Sequence, residues 1–201
     1  MVTVSSPIVV KVGGSLYELP GLGKRLSAWL ASQSGDIILV PGGGPMVDTI
    51  RQLDLIHHLG EEACHWLAIR TLTINAHFLA QLLPGVNIIS DPKQQPAGHV
   101  SIMDMYPFAL TDEANSKRLP HSWEVTSDSL AARVAIVAQA RKLVLLKSVD
   151  APVGLHWSTW PEEIVDGHFR EIMGQASADL LVEIVNLRSA RRAGEKEPHT
   201  K

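Results

Sequence analysis

Lys11, Gly13-Gly14 and Gly42-Gly43-Gly44 are the residues of this chain whose types and spacing best suit chemistry. Each glycine group follows a short apolar run, Ile8-Val9-Val10 in one case and Ile37-Ile38-Leu39-Val40 in the other, and each is placed to open a helix. Glycine lets the backbone come close to a ligand, and the N–H groups at a helix start favour anions. Two such turns side by side, one with a lysine on its strand, suit two phosphate-bearing ligands facing each other. The chemistry this implies is phosphoryl transfer. A lone lysine before a tight turn is equally well read as solvated, but three consecutive glycines cost more backbone entropy than a simple turn requires. Neither turn is a Walker A loop, since the Gly-Lys-Ser/Thr ending is missing, and in Gly21-Leu22-Gly23-Lys24 the lysine is followed by Arg25. The dinucleotide pattern Gly-x-Gly-x-x-Gly is not matched either.

Three further groups are candidates. Thr126-Ser127-Asp128-Ser129 precedes an apolar helical stretch. Ser127 or Asp128 would cap it, and an aspartate there can also orient a lysine or offer an oxygen to Mg2+. Lys147-Ser148-Val149-Asp150 follows a buried-looking strand and either lines a nucleotide pocket or is a solvated strand end. His57, His58, Cys64 and His65 match no zinc spacing. Arg51 and His65 flank a helix–helix turn and are candidates to face an acceptor, while structural roles suit His57, His58 and Cys64. Trp123 reads as packing or as a loop anchor.

The elements that must hold these residues alternate between strand and helix. Strands are expected at 8–10, 36–40, 86–89, 142–146 and 180–185. Leu22–Leu30 has apolar residues at helical spacing. Pro45 suits the first turn of a second helix carrying Met46, Val47, Ile50 and Leu53. A longer helix runs over about 61–83 until Pro84-Gly85 stops it, and another covers 127–138. Residues 91–123, rich in proline, histidine and polar side chains, are expected to be loop with short local elements. The pattern predicts an α/β three-layer sandwich with a mainly parallel central sheet. In such sheets ligands bind beyond the carboxyl ends of the strands, where both glycine turns and residues 147–150 fall. One domain is expected over 1–187, followed by a polar, fraying tail over 188–201.

The bulk properties narrow the partners. The 201 residues are 45% hydrophobic and 19% charged, with a formal net charge of −3. No overall basic field draws in nucleic acid or an anionic membrane, so a phosphate site must be built locally. Cys64 is the only cysteine, which excludes an intrachain disulfide and suits a reducing compartment. No apolar run reaches ~18 residues, and the N-terminus lacks a secretory pattern. A cytoplasmic protein is expected, and the long helix with its apolar surface suggests a homo-oligomer.

Together, Lys11–Ser15, Pro41–Gly44 and Ser127-Asp128 resemble the amino acid kinase superfamily, whose members carry Lys-x-Gly-Gly-Ser, Pro-Gly-Gly-Gly and a later Ser/Thr-Asp before a helix. The resemblance covers roughly 7–150. Within it, Cys64–Ile69 and Leu119–Ser129 are similar to the methanofuran-pathway branch, which contains a kinase for [5-(aminomethyl)furan-3-yl]methyl phosphate that makes a diphosphate. The resemblance implies ATP and Mg2+ as cofactors and a small phosphorylated acceptor. Other acceptors of the superfamily are a carboxylate, a carbamate, a nucleotide or an isoprenoid phosphate, and a non-catalytic anion binder of the same fold is the remaining alternative.

What the resemblance implies can be placed on the chain. Lys11 would bridge the phosphates of ATP and acceptor. Gly13, Gly14 and Ser15 would hold the ATP side, with Lys147 and Asp150. Gly42, Gly43 and Gly44 would hold the acceptor and the moving phosphoryl group, with Arg51, His65, Thr126 and Ser127 on the acceptor side. Asp128 would orient Lys11 or hold Mg2+. Where the family has Thr-Asp-Val-Asp-Gly, this chain has Lys147-Ser148-Val149-Asp150-Ala151. Lys147 is thereby a candidate to replace a lysine that relatives supply nearer the C-terminus.

Overall fold

A computed structural model describes residues 6–94 and 99–189. Six strands form one sheet: β1 (Ile8–Val12), β2 (Ile37–Pro41), β3 (Asn87–Ile89), β4 (Val100–Met103), β5 (Lys142–Lys147) and β6 (Leu181–Asn186). They lie in the order β3-β4-β2-β1-β5-β6, and every pairing is parallel. A parallel sheet covered on both faces needs nearly continuous apolar strands, and β1 and β2 are buried along their whole length.

Helices α1 (Leu22–Ala31), α2 (Gly44–His57), α3 (Glu61–Leu82), α4 (Met105–Asp112), α5 (Ser127–Val137) and α6 (Phe169–Met173) connect and cover the strands. Side chains alternate across a strand, so β1 sends Val9 to one core and Ile8, Val10 and Val12 to the other. The first core contains Leu130, Ala131 and Val134 of α5, and the second contains Leu22, Leu26 and Leu30 of α1. By the same alternation Lys11 shares the face of Val9, the face covered by α5. α3 serves both cores, with Ile69 and Leu72 in one and Ala76 and Leu79 in the other.

β1 sits at the centre, with β2 on one side and β5 on the other. Val12 is in register with Pro41 and with Leu146, so these three strands end level. Their carboxyl ends meet where the chain reverses its direction of travel across the sheet, which is where open α/β sheets bind ligands.

The region 91–123 departs from the expected loop. It contains β4, which pairs with both β2 and β3, and the eight-residue α4. Asp104 caps α4, accepting from the Tyr106 N–H at 3.2 Å and from the Thr73 hydroxyl of α3 at 2.6 Å. Arg133 of α5 grips Asp112 at the other end of α4 with two hydrogen bonds of 2.8 and 2.7 Å. The N-cap of α5 also differs from the two residues expected. Thr126 occupies that position, and its hydroxyl accepts from the Asp128 N–H. Of the expected tail, Arg188 and Ser189 are described, while 190–201 lie outside the described residues. Among the described residues no helix is long and apolar enough to cross a membrane.

Candidate active site

The turn after β1 and the turn after β2 are in backbone contact. A Cβ on Gly14 would fall 2.3 Å from the Gly44 nitrogen, so neither turn could approach the other with a side chain there. Gly44 also has φ +60°, a conformation that glycine adopts freely, and Pro45 follows as an early residue of α2. The turn after β1 is tied to β5 as well: the Gly13 N–H donates to the Leu146 carbonyl at 2.8 Å, and the Ser15 and Ser148 hydroxyls are 2.9 Å apart.

Lys11 points from β1 to the start of α5, where Asp128 is buried. Its Nζ lies 3.0 Å from Asp128 Oδ1, an ion pair without hydrogen-bond alignment. Lys147, from the end of β5, donates to Asp128 Oδ2 at 2.6 Å and to the Ile164 carbonyl. Burial would raise the Asp128 carboxyl, but Lys11 and Lys147 outweigh it and hold the group below the usual carboxylate range. Lys147 moves down from the usual lysine value through burial and the Lys11 charge, partly opposed by Asp128. One carboxylate thus sits between two ammonium groups, and Asp166 acts on Lys147 as a further negative charge. The start of α5 is itself fixed from outside the helix. Asp166 accepts from the Thr126 N–H and hydroxyl at 3.1 and 2.7 Å and from the Ser129 N–H at 3.1 Å, and also binds the Ser129 hydroxyl.

Beside the turns lies a cavity of about 160 Å³. Gly14, Gly43 and Gly44 line one end. Val47, Ala68, Ile69, Leu72, Val125 and Leu130 give it apolar walls, and Asp48, Arg51, His65, Ser122, Thr126 and Ser127 give it polar ones. The Arg51 guanidinium lies 4.4 Å from the centre of the Trp123 ring, whose Nε1 donates to Asp54 at 3.1 Å. Trp123 therefore anchors the 122–125 segment to α2. His65 stacks on His121 with ring centres 4.1 Å apart. Burial and the neighbouring His121 push the His65 pKa down to about 4, so it meets the cavity as a neutral imidazole. His121 is held between Glu62 at 2.6 Å and Glu113 at 2.8 Å. Burial disfavours its charge, but the two carboxylates prevail and its pKa rises.

The sequence-derived candidates thus fall into three places. Lys11, Asp128 and Lys147 form one cluster, while Gly13, Gly14 and Gly42–Gly44 make the paired turns at the ends of β1 and β2, and none of the three clustered residues lines the cavity. Arg51, His65, Thr126 and Ser127 line the cavity beside it. Ser15 sits at the β1–β5 rim, and Asp150 lies apart from the lysine cluster, accepting from Asn186 of β6 at 3.0 Å. Cys64 is buried, and among the described residues no three His, Cys, Asp or Glu side chains gather as a metal site. Sequence reasoning gave no role to Tyr17, Asn75, Asp166 or His121; the first three lie in no glycine turn or recognisable motif, and His121 entered only as part of the Leu119–Ser129 resemblance.

The model of the amino acid kinase family matches residues 6–151, most of the chain and all of the site except Ile164 and Asp166. The chain belongs to the amino acid kinase family. Among relatives, it is 25% identical over 146 residues to a [5-(aminomethyl)furan-3-yl]methyl phosphate kinase of Methanocaldococcus jannaschii. That match covers 71% of this chain and 66% of the relative, so just under two thirds of the relative's length is spanned. Two solved structures have the same fold. A uridylate kinase from Archaeoglobus fulgidus aligns with a TM-score of 0.58 at 16% identity, covering 90% of this chain and 92% of the other. A UMP kinase from Bacillus anthracis aligns with a TM-score of 0.61 at 11% identity, covering 92% and 88%.

Proposed function

We propose that the chain is an ATP-dependent small-molecule kinase that transfers a γ-phosphoryl group to a phosphate acceptor and so makes a diphosphate. One observation carries this reading: the ammonium groups of buried Lys11 and half-buried Lys147 share one carboxylate at the sheet edge where two glycine turns touch through their backbones. Phosphoryl transfer asks the protein mainly for positioning and charge neutralisation. Lys11 bridges the two phosphate-bearing ligands. Gly13, Gly14 and Ser15, with Lys147 and Asp150 on the nucleotide side, hold one of them, and Gly42–Gly44 hold the other together with the group in transit. Asp128 pairs with both lysines and aims them. The acceptor phosphate is already anionic near neutral pH, so no side chain need remove a proton.

The residues present fit a polyphosphate, because the close Gly14–Gly44 approach leaves backbone rather than side chains at the rim and two lysines stand at the same ends of β1 and β5. They do not by themselves build a Mg2+ site, since both Asp128 oxygens face ammonium groups. ATP would supply the phosphoryl group, and Mg2+ would serve to neutralise phosphate charge without a site built by these side chains.

For the acceptor we favour a small ring bearing a phosphate and an amine, of the kind named for the M. jannaschii relative, in methanofuran-type C1 cofactor biosynthesis. The cavity supports this through its apolar walls, with Arg51 and Ser127 suited to a phosphate, His65 to a neutral hydrogen bond and Asp48 to an ammonium, while Thr126, whose N–H and hydroxyl both donate to Asp166, shapes the wall instead. The protein works in the cytoplasm as a homo-oligomer, a reading supported by the exposed Leu53, Leu55 and Ile56 of α2 and checked by light scattering. The decisive assay incubates the chain with ATP, Mg2+ and a panel of phosphorylated small molecules, including the aminomethylfuran phosphate and UMP, and follows diphosphate formation by 31P NMR. ATP binding with no acceptor consumed would instead indicate a non-catalytic anion binder.

A further inference from the structure

Asn75 of α3 is completely buried beneath the second glycine turn. Its Nδ2 donates to the Gly42 carbonyl at 2.8 Å and to the Gly43 carbonyl at 2.7 Å. The Tyr17 hydroxyl adds a second donor to the Gly42 carbonyl at 2.9 Å. Asn75 Oδ1 is buried with no hydrogen-bond partner. Such an orphan costs about 1–3 kcal/mol, so stability alone is a poor reason for an amide at this position.

Peptide geometry supplies a better reason. In a trans peptide the C=O and the following N–H point to opposite sides, and no described peptide bond is cis. Drawing the Gly42 and Gly43 carbonyls toward Asn75 therefore turns the N–H groups of Gly43 and Gly44 away from it. Both of these glycines line the cavity. We infer that Asn75, assisted by Tyr17, is a positioning residue that aims the Gly43 and Gly44 amides as a pair at a phosphate or phosphoryl group in the cavity. The inference rests on the reading of this cavity as the acceptor side. The donor must be neutral and double: aspartate has no N–H to offer, and alanine has neither reach nor hydrogens. Tyr17 is a lasting donor too, because burial raises its pKa well above the usual tyrosine value.

The test uses the full chain, 15N-labelled, and titrates inorganic pyrophosphate while following the glycine amide resonances. In the wild type, the Gly43 and Gly44 amides shift together. In Asn75→Ala both responses are lost while Gly13 and Gly14 still respond, and pyrophosphate affinity falls about a hundredfold, the loss expected for two misdirected charge-assisted hydrogen bonds. Tyr17→Phe keeps the ring against Phe78 and weakens the Gly43 response more than that of Gly44, because only the Gly42 carbonyl loses a donor. In turnover, Asn75→Ala lowers kcat about a hundredfold, as for a lost oxyanion donor, with the nucleotide KM unchanged. A purely structural Asn75 would lower the melting temperature and leave pyrophosphate affinity and kcat per folded molecule as in the wild type, which overturns the inference. Should Asn75→Ala not fold, equal Gly43 and Gly44 responses in Tyr17→Phe and wild type overturn it as well. Silent Gly43 and Gly44 amides in the wild type do so directly. Responding amides with no acceptor phosphorylated would defeat the kinase reading and leave this inference standing.

Discussion

Asp128 is the residue on which the site's electrostatics turn. Its carboxylate pairs with the ammonium groups of buried Lys11 and half-buried Lys147 and fixes the position of both. Removing one partner of a buried ion pair leaves an uncompensated charge, which costs about 3–5 kcal/mol. Asp128→Asn should therefore lower both stability, by about 3 kcal/mol in urea melts, and turnover per folded molecule. The helix cap does not enter this loss, because Thr126 and Asp166 provide it. A stable Asp128→Asn enzyme with unaltered turnover would mean the lysines do not depend on the carboxylate. Lys11, the glycines and Asp128 were legible in the sequence because each belongs to a contiguous motif beside a strand or helix end. Asn75 and Asp166 were not: each acts on a segment more than 30 residues away, and only the folded chain brings them there.

The elements carry the next level of control. Asp166 receives hydrogen bonds from Thr126 and Ser129, so it sets where α5, and with it Asp128, begins. Asp166→Ala should destabilise the fold by about 2 kcal/mol, the upper range for a lost helix cap, in urea melts, and reduce turnover through Asp128. Unchanged stability would show that Thr126 alone is sufficient. The pair of stacked histidines couples α3 to the 113–121 segment, with opposite pH signs. The folded pKa of His121 lies above the unfolded value of about 6.5, so its contribution is fully present below that pH and is lost as pH rises through the folded value. His65 has a folded value of about 4, so stability is lost as pH falls from the unfolded value toward it. In urea melts across pH, His121→Gln should flatten the alkaline decline and His65→Gln the acidic one; curves parallel to wild type would contradict both. At this scale the sequence was clearest where apolar strands end in glycine. It concealed β4 and α4, because Val100–Met103 is only four residues long and includes a serine. The one available signal was Asp104 as a cap, with Pro107 in the first turn where proline is tolerated.

For the molecule as a whole, the strand order places three strand ends level at one rim, and that alignment turns scattered motifs into a single site. The sequence pattern indicated a mainly parallel sheet and its ligand edge, because alternating apolar strands and helices have few other arrangements. It could not give the neighbour relations of β1, β2 and β5, which depend on packing across the sheet. A site spanning several elements should stabilise the whole fold when filled. At a hundredfold excess over Kd, ATP with Mg2+ should add about 2.7 kcal/mol to unfolding stability, and ATP alone should add less. An unmoved melting temperature at high ATP would indicate that the nucleotide side, where Lys147–Ala151 departs from the family pattern, does not bind it.

The most direct measurement compares wild type and Lys11→Ala, both shown to be folded by circular dichroism, for ATP-dependent diphosphate formation on the same phosphate acceptor. A shared ammonium between the two turns predicts a fall in kcat of about a hundredfold or more. Near-normal turnover in Lys11→Ala would contradict it.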